Sequence, residues 1–188
     1  DYLRDNQVIP EKCDLNDILF LMTPAETETK LDNLITKLVQ FEKHIDENSP
    51  MEKVLPTVYR KYSSRYERYT IRQLCQELHD FYKARKINVL QKKMFLKSYF
   101  PEYFMSPQEA NWALVRGKGE LIPLDEAEGR VALQAAVPYP PGVTCVQPGE
   151  RWSRIALDYF LDFVETANIL PGFAPEPQGV SLEKDEFG

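Results

Sequence analysis

An α+β fold is predicted for this 188-residue chain by three observations. All eight glycines lie at or after Gly117, and eight of the fourteen prolines follow the same point. Before that point, apolar residues recur in stripes at helical spacing; after it they come in short runs between turn formers. Near the N-terminus, a short apolar run is followed at once by an amphipathic stretch, a strand-then-helix unit. Glycine supplies positive φ and close backbone approach, so its absence suits helices with plain connections and its return suits short strands and tight turns. The expected order is a piece of an α/β layer, a helical middle, then a mixed helical and short-strand region, with the change near Arg116-Gly117.

The elements follow in order. Asp17-Ile18-Leu19-Phe20-Leu21-Met22-Thr23, bounded by Asp14 and Asn16 before and Pro24 after, reads as a buried strand. Thr23-Pro24-Ala25-Glu26 then opens a helix, with a cap, Pro at the first helical position and a Glu. Leu31, Leu34, Ile35, Leu38, Val39 and Phe41 form its apolar face, and Asn48-Ser49-Pro50 ends it. Residues 70–86 carry the best helix signal, with Thr70 as cap and Ile71, Leu74, Cys75, Leu78, Phe81 and Tyr82 on one face. A second stripe, Val89, Leu90, Met94 and Phe95, stops before Pro101, and Ser106-Pro107-Gln108-Glu109 starts another helix. Short strands are expected at 119–124, 130–137 and 143–147, then a helix from Trp152 to Ala167, a Pro/Gly loop and a final strand around Val180. There are no internal repeats.

At 43% hydrophobic, 28% charged and 12% aromatic, the composition supports a real core and excludes collagen, a disulfide scaffold and wholesale disorder. The longest purely apolar run, Ile18 to Met22, is far short of a membrane span. The chain begins Asp1-Tyr2-Leu3-Arg4, without Met and unlike a signal peptide, so a fragment or processed product of a globular cytoplasmic protein is expected. Cys13, Cys75 and Cys145 are an odd, widely spaced set without C-x-x-C, which suits thiols in a reducing compartment rather than disulfides or a zinc knuckle. His44 and His79 lack metal-ligand spacing. Charge is uneven: residues 53–97 carry 12 Lys/Arg against 3 Asp/Glu, in a chain whose net charge is −6.

Candidate chemistry is sparse. The stretch from Tyr59 to Tyr69 interleaves basic and aromatic residues, as single-stranded nucleic acid requires. Tyr59, Tyr62, Tyr66 and Tyr69 are nevertheless spaced as one helix face, and a tyrosine-lined packing stripe is the preferred reading. No G-x-S-x-G elbow exists, and Arg116-Gly117-Lys118-Gly119-Glu120 lacks the third glycine of a phosphate cradle, which suits a hairpin turn. Carboxylate pairs such as Glu126 and Glu128 are common in an acidic chain. Two stretches stand out. In Pro138-Tyr139-Pro140-Pro141-Gly142-Val143, fixed proline φ values would hold the Tyr139 ring in one orientation, as a pocket wall needs, or a stiff turn would carry it as a core plug. In Ile9-Pro10-Glu11-Lys12, a carboxylate follows a proline just before the predicted strand, a fixed anion or an ordinary turn Glu.

Residues 113–182 resemble the C-terminal domain of bacterial PLP-dependent ornithine/lysine/arginine decarboxylases. The resemblance rests on Ala113-Leu114-Val115-Arg116-Gly117, Glu120-Leu121-Ile122-Pro123-Leu124, Glu128-Gly129-Arg130-Val131-Ala132, Val137-Pro138-Tyr139-Pro140-Pro141-Gly142, Gln147-Pro148-Gly149-Glu150 and Pro171-Gly172-Phe173-Ala174-Pro175-Glu176, in that order. Upstream, the run from Ile9 to Ala25 resembles the end of the same enzymes' small, aminotransferase-like domain. The implied division is residues 1–50 as the end of that α/β domain and 51–188 as the decarboxylase C-terminal domain, closest to the ornithine branch.

The resemblance implies an enzyme that joins PLP to the substrate amine, expels CO2 to leave a carbanion stabilised by the cofactor ring, and protonates that carbanion to give a diamine, putrescine from ornithine. Its Schiff-base lysine sits in a Ser-x-His-Lys context, whereas here Ile45 follows His44 and Asp80 follows His79. No catalytic or cofactor-binding residue and no metal ligand is therefore expected in this stretch, which alone should neither hold PLP nor decarboxylate. What carries over is substrate binding: the carboxylate that meets the distal ammonium matches Glu11, and the pocket-entrance tyrosine matches Tyr139. The implied partners are the PLP-binding large domain, further copies in a homo-oligomer, and a small basic amino acid; neither membrane nor nucleic acid is expected. The alternative from another class is a non-catalytic nucleic-acid-binding module using residues 53–97. Thr144-Cys145-Val146-Gln147 and Pro177 depart from the family pattern.

Overall fold

The computed structural model describes residues 1–14, 17–139 and 141–180; Asn16 and Pro140, used in the sequence reading, lie outside these. The chain divides into two compact units, Asp1–Ala84 and Arg85 onward.

The first unit holds α1 (Tyr2–Asp5), β1 (Lys12–Cys13), β2 (Ile18–Leu19), α2 (Glu28–Asp46), α3 (Met51–Val54), α4 (Pro56–Lys61) and nearly all of α5 (Ile71–Arg85). The run expected as a buried strand is instead one arm of a small antiparallel hairpin, with Lys12 opposite Leu19 and Cys13 opposite Ile18. Its side chains are exposed, Ile18 at 52% and Leu21 at 66%. An apolar strand is buried only when other strands and a covering layer flank it, and β1 is the sole strand paired with β2 among the described residues. The α2 helix also begins one turn later than expected. Thr23 and Pro24 form a turn in which the Glu26 amide donates to the Thr23 carbonyl at 3.0 Å, and Thr27 takes the cap, its side chain accepting from the Lys30 amide at 3.4 Å. Ile35 and Val39, on the expected apolar face, are each 59% exposed.

The core of this unit lies further along. Met51, Val54, Tyr66, Ile71 and Leu74 are buried around the α3–α5 helices. The tyrosine stripe is real as packing but not as one helix: α4 stops at Lys61 and turns follow, with Arg68 in the left-handed region at φ 62°. Ser63 and Ser64 favour turns over helix interiors, so Tyr59 stays on α4 while Tyr62, Tyr66 and Tyr69 follow it in non-helical backbone, Tyr66 alone fully buried. The expected cap of α5 is present: the Thr70 hydroxyl oxygen accepts from the Gln73 amide at 3.5 Å, and the Thr70 amide donates to the Gln73 side chain at 2.9 Å.

The second unit contains α6 (Ile87–Met94), β3 (Glu102–Tyr103), α7 (Pro107–Val115), β4 (Val137–Tyr139), β5 (Glu150–Arg151), α8 (Arg154–Ile169) and β6 (Glu176–Gln178). The Ser106–Glu109 capping box forms in full: the Ser106 hydroxyl oxygen accepts from the Glu109 amide at 3.2 Å and the Glu109 carboxylate accepts from the Ser106 amide at 2.8 Å. The Ser106 hydroxyl also donates to the Glu109 carboxylate at 2.7 Å, and this bond, with that from the Ser106 amide, holds the Glu109 carboxyl below its usual range. Helix α8, capped by Ser153, carries the core of this unit. Leu157, Tyr159, Phe160 and Phe163 are buried, and Phe160 meets Trp152 and Phe163 edge-on with centroids 5.4 and 5.7 Å apart.

The strands expected after Gly117 are mostly replaced by irregular backbone. Residues 119–123 form none, 130–137 contributes only bridges at Val131 and Ala136 and the first residue of β4, and 143–147 a single bridge at Val146. Prolines 123, 138 and 148 cannot donate to a ladder, and loop bonds serve the backbone instead, as in Gly149 donating to Ala132 at 2.8 Å. The two ladders that do form join distant segments, β3 with β5 and β4 with β6, both antiparallel. The mixed helical and short-strand character of this half holds. The final strand falls at Glu176–Gln178, just before Val180.

Candidate substrate-recognition positions

Glu11 begins the hairpin of the first unit. Its amide donates to the Leu19 carbonyl at 2.9 Å, extending the β1–β2 ladder by one bond, and its side chain is exposed. The backbone is thus fixed on one side by Pro10 and on the other by the ladder, which leaves a carboxylate standing off the hairpin edge. The far end of the hairpin is tied by the Asp17 amide donating to the Asp14 carboxylate at 2.9 Å.

Tyr139 is the last residue of β4, in the second unit, and is 49% exposed. Its strand neighbour Pro138 is fully buried, so the two side chains take opposite faces of the ribbon as strand alternation requires. The chain turns back beneath the ring: the Gly142 amide donates to the Pro138 carbonyl at 2.8 Å, and Gly142 takes φ 77°. A Cβ on Gly142 would lie 3.0 Å from Tyr139 Cδ2, so only glycine lets the ring rest there. At 49% exposure Tyr139 is not a core plug.

The ribbon is pinned from its other strand too. Gly179, at φ 77°, sits so close to the next segment that a Cβ would fall 2.0 Å from the Ala135 carbonyl oxygen. The register sets Tyr139 opposite Glu176 and Pro138 opposite Pro177. Pro177 lines an apolar cleft with Phe160, Phe163 and Val164. The sequence reading singled out Tyr139 but not Glu176; the signal that could have found it is the Pro-Glu-Pro alternation at 175–177, which gives one exposed side chain between two inward prolines.

The aromatic–basic stretch is largely engaged within its own unit. Arg65 pairs with Glu77 at 2.5 Å and lies over the rings of Tyr66 and Tyr69, 5.2 and 5.1 Å from their centroids. The Tyr69 hydroxyl donates to the second Glu77 oxygen at 2.9 Å. Tyr66 is fully buried, and burial pushes its hydroxyl up to about 12. Arg72 caps the end of α2, donating to the Ile45 and Asp46 carbonyls at 2.5 and 2.6 Å. Stacking on nucleobases needs open aromatic faces, and Tyr66 offers none.

These residues do not compose a cradle for PLP. A Schiff-base lysine must reach into an enclosed site, whereas the described lysines are exposed apart from the half-buried Lys37, and none lines the apolar cleft. Burial pushes the half-buried Cys145 thiol up to about 12, and its Sγ donates to the Val143 carbonyl at 3.5 Å. Among the described residues no group of His, Cys, Asp and Glu could hold a metal ion, and no helix is long and apolar enough to cross a membrane.

The ornithine decarboxylase of Haemophilus influenzae is 57% identical over 188 residues, covering all of this chain and 26% of that protein. The inducible ornithine decarboxylase of Escherichia coli is 53% identical over 186 residues, covering 99% of this chain and 25% of that protein. Among solved structures, lysine decarboxylase A from Pseudomonas aeruginosa matches with a TM-score of 0.89 at 32% identity, covering 98% of this chain and 25% of that one. The constitutive lysine decarboxylase of Escherichia coli matches at 0.86 and 29%, covering all of this chain and 26% of that one. The chain thus spans about a quarter of the length of the curated relatives it matches. Residues 88–188, more than half of the chain and nearly all of its second unit, match the family described as Orn/Lys/Arg decarboxylase, C-terminal domain, and the chain belongs to that family.

Proposed function

We propose that this chain is the C-terminal part of a PLP-dependent ornithine decarboxylase, which converts ornithine to putrescine and CO2. The observation that carries the choice of substrate is the gap in identity. Four ornithine decarboxylases match at 52–57%, whereas four lysine decarboxylases match at 29–35% over nearly the same residues. PLP and its lysine belong to the part of the longer enzyme that this chain does not span, where the cofactor acts as electron sink for the carbanion left by CO2.

In this reading Glu11 accepts the distal ammonium of the substrate, and Tyr139 walls the pocket entrance. A cation taken out of water needs a paired anion, and Glu11 is an anion on a backbone fixed from both sides. Residues 1–50 are the end of a small aminotransferase-like domain whose other strands cover the apolar faces of the hairpin and of α2; residues 51–188 are the C-terminal domain. The +9 segment 53–97 faces further domains or copies of a cytoplasmic homo-oligomer rather than nucleic acid.

The test is a comparison of kcat/KM for ornithine, lysine and arginine in the full-length enzyme. Ornithine is expected to be preferred, and equal or better turnover of lysine or arginine would overturn the assignment. The 188-residue chain given PLP is expected to release no CO2, and its binding of single-stranded RNA in a salt-dependent manner would favour a nucleic-acid module instead.

A further inference from the structure

The β4–β6 ribbon has an inward and an outward face. Pro138 is fully buried, and its cross-strand partner Pro177 packs into the cleft lined by Phe160 and Phe163. One residue along, Tyr139 and Glu176 are opposed on the outward face, and both are exposed. Directly opposed side chains have Cβ atoms about 4.5–5.5 Å apart. A carboxylate is thereby held beside an aromatic ring.

The ring and the backbone of Glu176 are both constrained. The ring is limited below by Gly142, whose missing Cβ is the space it occupies, and Glu176 lies between two prolines, 175 and 177. The register is held by Gly179 against the Ala135 carbonyl. Among the described residues no Lys or Arg is paired with Glu176. An aromatic face and an uncommitted carboxylate side by side attract an alkylammonium by two forces, the ring quadrupole and the negative charge. A neutral side chain of equal length gains neither.

We infer that Glu176 is a specificity-determining residue that, with Tyr139, favours entry of a substrate bearing a distal ammonium. This rests on the decarboxylase reading above and adds a second carboxylate to Glu11 in selecting diamino acids. Because the pair is exposed, its pull is screened by salt.

In the full-length enzyme, Glu176→Gln is expected to raise the ornithine KM roughly two- to fivefold, the range for exposed charge and cation–π contacts, with a smaller loss in kcat. Glu176→Lys raises it further. The effect of Glu176→Gln shrinks in a Tyr139→Ala background and at high salt, while PLP absorbance and the thermal midpoint stay at the parent values. Unchanged KM in both Glu176 variants, beside a raised KM in Glu11→Gln, overturns the inference and leaves the decarboxylase reading standing. So does an effect of full size in the Tyr139→Ala background, or one insensitive to salt. A full-length parent that does not decarboxylate ornithine removes the reading beneath it.

Discussion

The ring of Tyr139 occupies the space where a side chain at residue 142 would begin: a Cβ on Gly142 would lie 3.0 and 3.1 Å from Tyr139 Cδ2 and Cε2. The two positions are therefore coupled, and Gly142→Ala should disturb the ring as well as the turn. The backbone cost of placing a β-carbon at φ 77° is about 1–2 kcal/mol. Gly117→Ala supplies the control, since Gly117 has φ 67° but nothing within 4 Å of its Cβ position. Both variants should lower the unfolding midpoint of the full-length enzyme to a similar extent. Only Gly142→Ala should also raise the ornithine KM, and equal kinetics in the two would detach the ring's orientation from substrate binding.

Glu11→Gln tests the other proposed contact. The substitution keeps the shape and the backbone bond from the Glu11 amide to Leu19 while removing the charge. Truncating one partner of a hydrogen-bonded charge pair that becomes buried costs about 2–5 kcal/mol. The substrate KM should therefore rise at least tenfold, with PLP absorbance intact. Steady-state kinetics and a visible spectrum of the full-length variant decide this, and unchanged kinetics would remove Glu11 from the site.

The longer helices were legible because their signals are local, whereas the short α1, α3 and α4 carry too few residues for a stripe. Thr70, Ser106 and Ser153 each sit at a helix start, and the stripe along α8 faces inward as its spacing requires. The strands were not legible, because their partners are remote. Val137 pairs with Gln178 and Glu102 with Arg151, and no periodicity in either segment announces a match 41 or 49 residues away. Hydrophobicity misled in one place for a different reason. Leu19, Leu21 and Val39 are apolar as core residues are, yet they are exposed here, and the proposed function assigns their cover to parts of a longer enzyme. The candidate site was legible only where resemblance reached: Glu11 and Tyr139 came from matched motifs, whereas Glu176 needed the register of β6.

Gly149 is the position least able to accept a side chain among those tied into the β3–β5 region. It has φ 91°, its carbonyl accepts from the Phe104 and Met105 amides at 3.0 Å each, and a Cβ would lie 2.1 Å from the Met105 carbonyl oxygen. The atoms it would meet, the Met105 carbonyl and the Ser106 carbonyl oxygen at 3.2 Å, are backbone, so no rotamer change relieves the overlap. Gly149→Ala should cost about 3 kcal/mol or more, the left-handed penalty plus overpacking. Its thermal midpoint should fall at least twice as far as that of Gly117→Ala. Equal losses would show that the Met105 segment yields freely.

His44 makes stability depend on pH. The side chain is buried near the end of α2, its Nδ1 lies 3.0 Å from the Ser49 hydroxyl, and Tyr2 meets its ring edge-on. Burial holds the imidazole below its ordinary value of 6.5; Lys53 and Lys43 push the same way, and Glu47 opposes them. The unfolded chain therefore takes up this proton before the folded one does. The resulting stability is fully present above about 6.5 and is lost as pH falls from there through the folded value. Asp162 works in the opposite sense: burial raises its carboxyl above 3.8 against the pull of Arg85, so its contribution is lost as pH rises from that point. His44→Gln removes the first dependence and leaves the second. Denaturation midpoints measured between pH 7.5 and pH 5 should fall less steeply in the variant than in the parent. Parallel slopes would mean that His44 takes its proton as readily folded as unfolded.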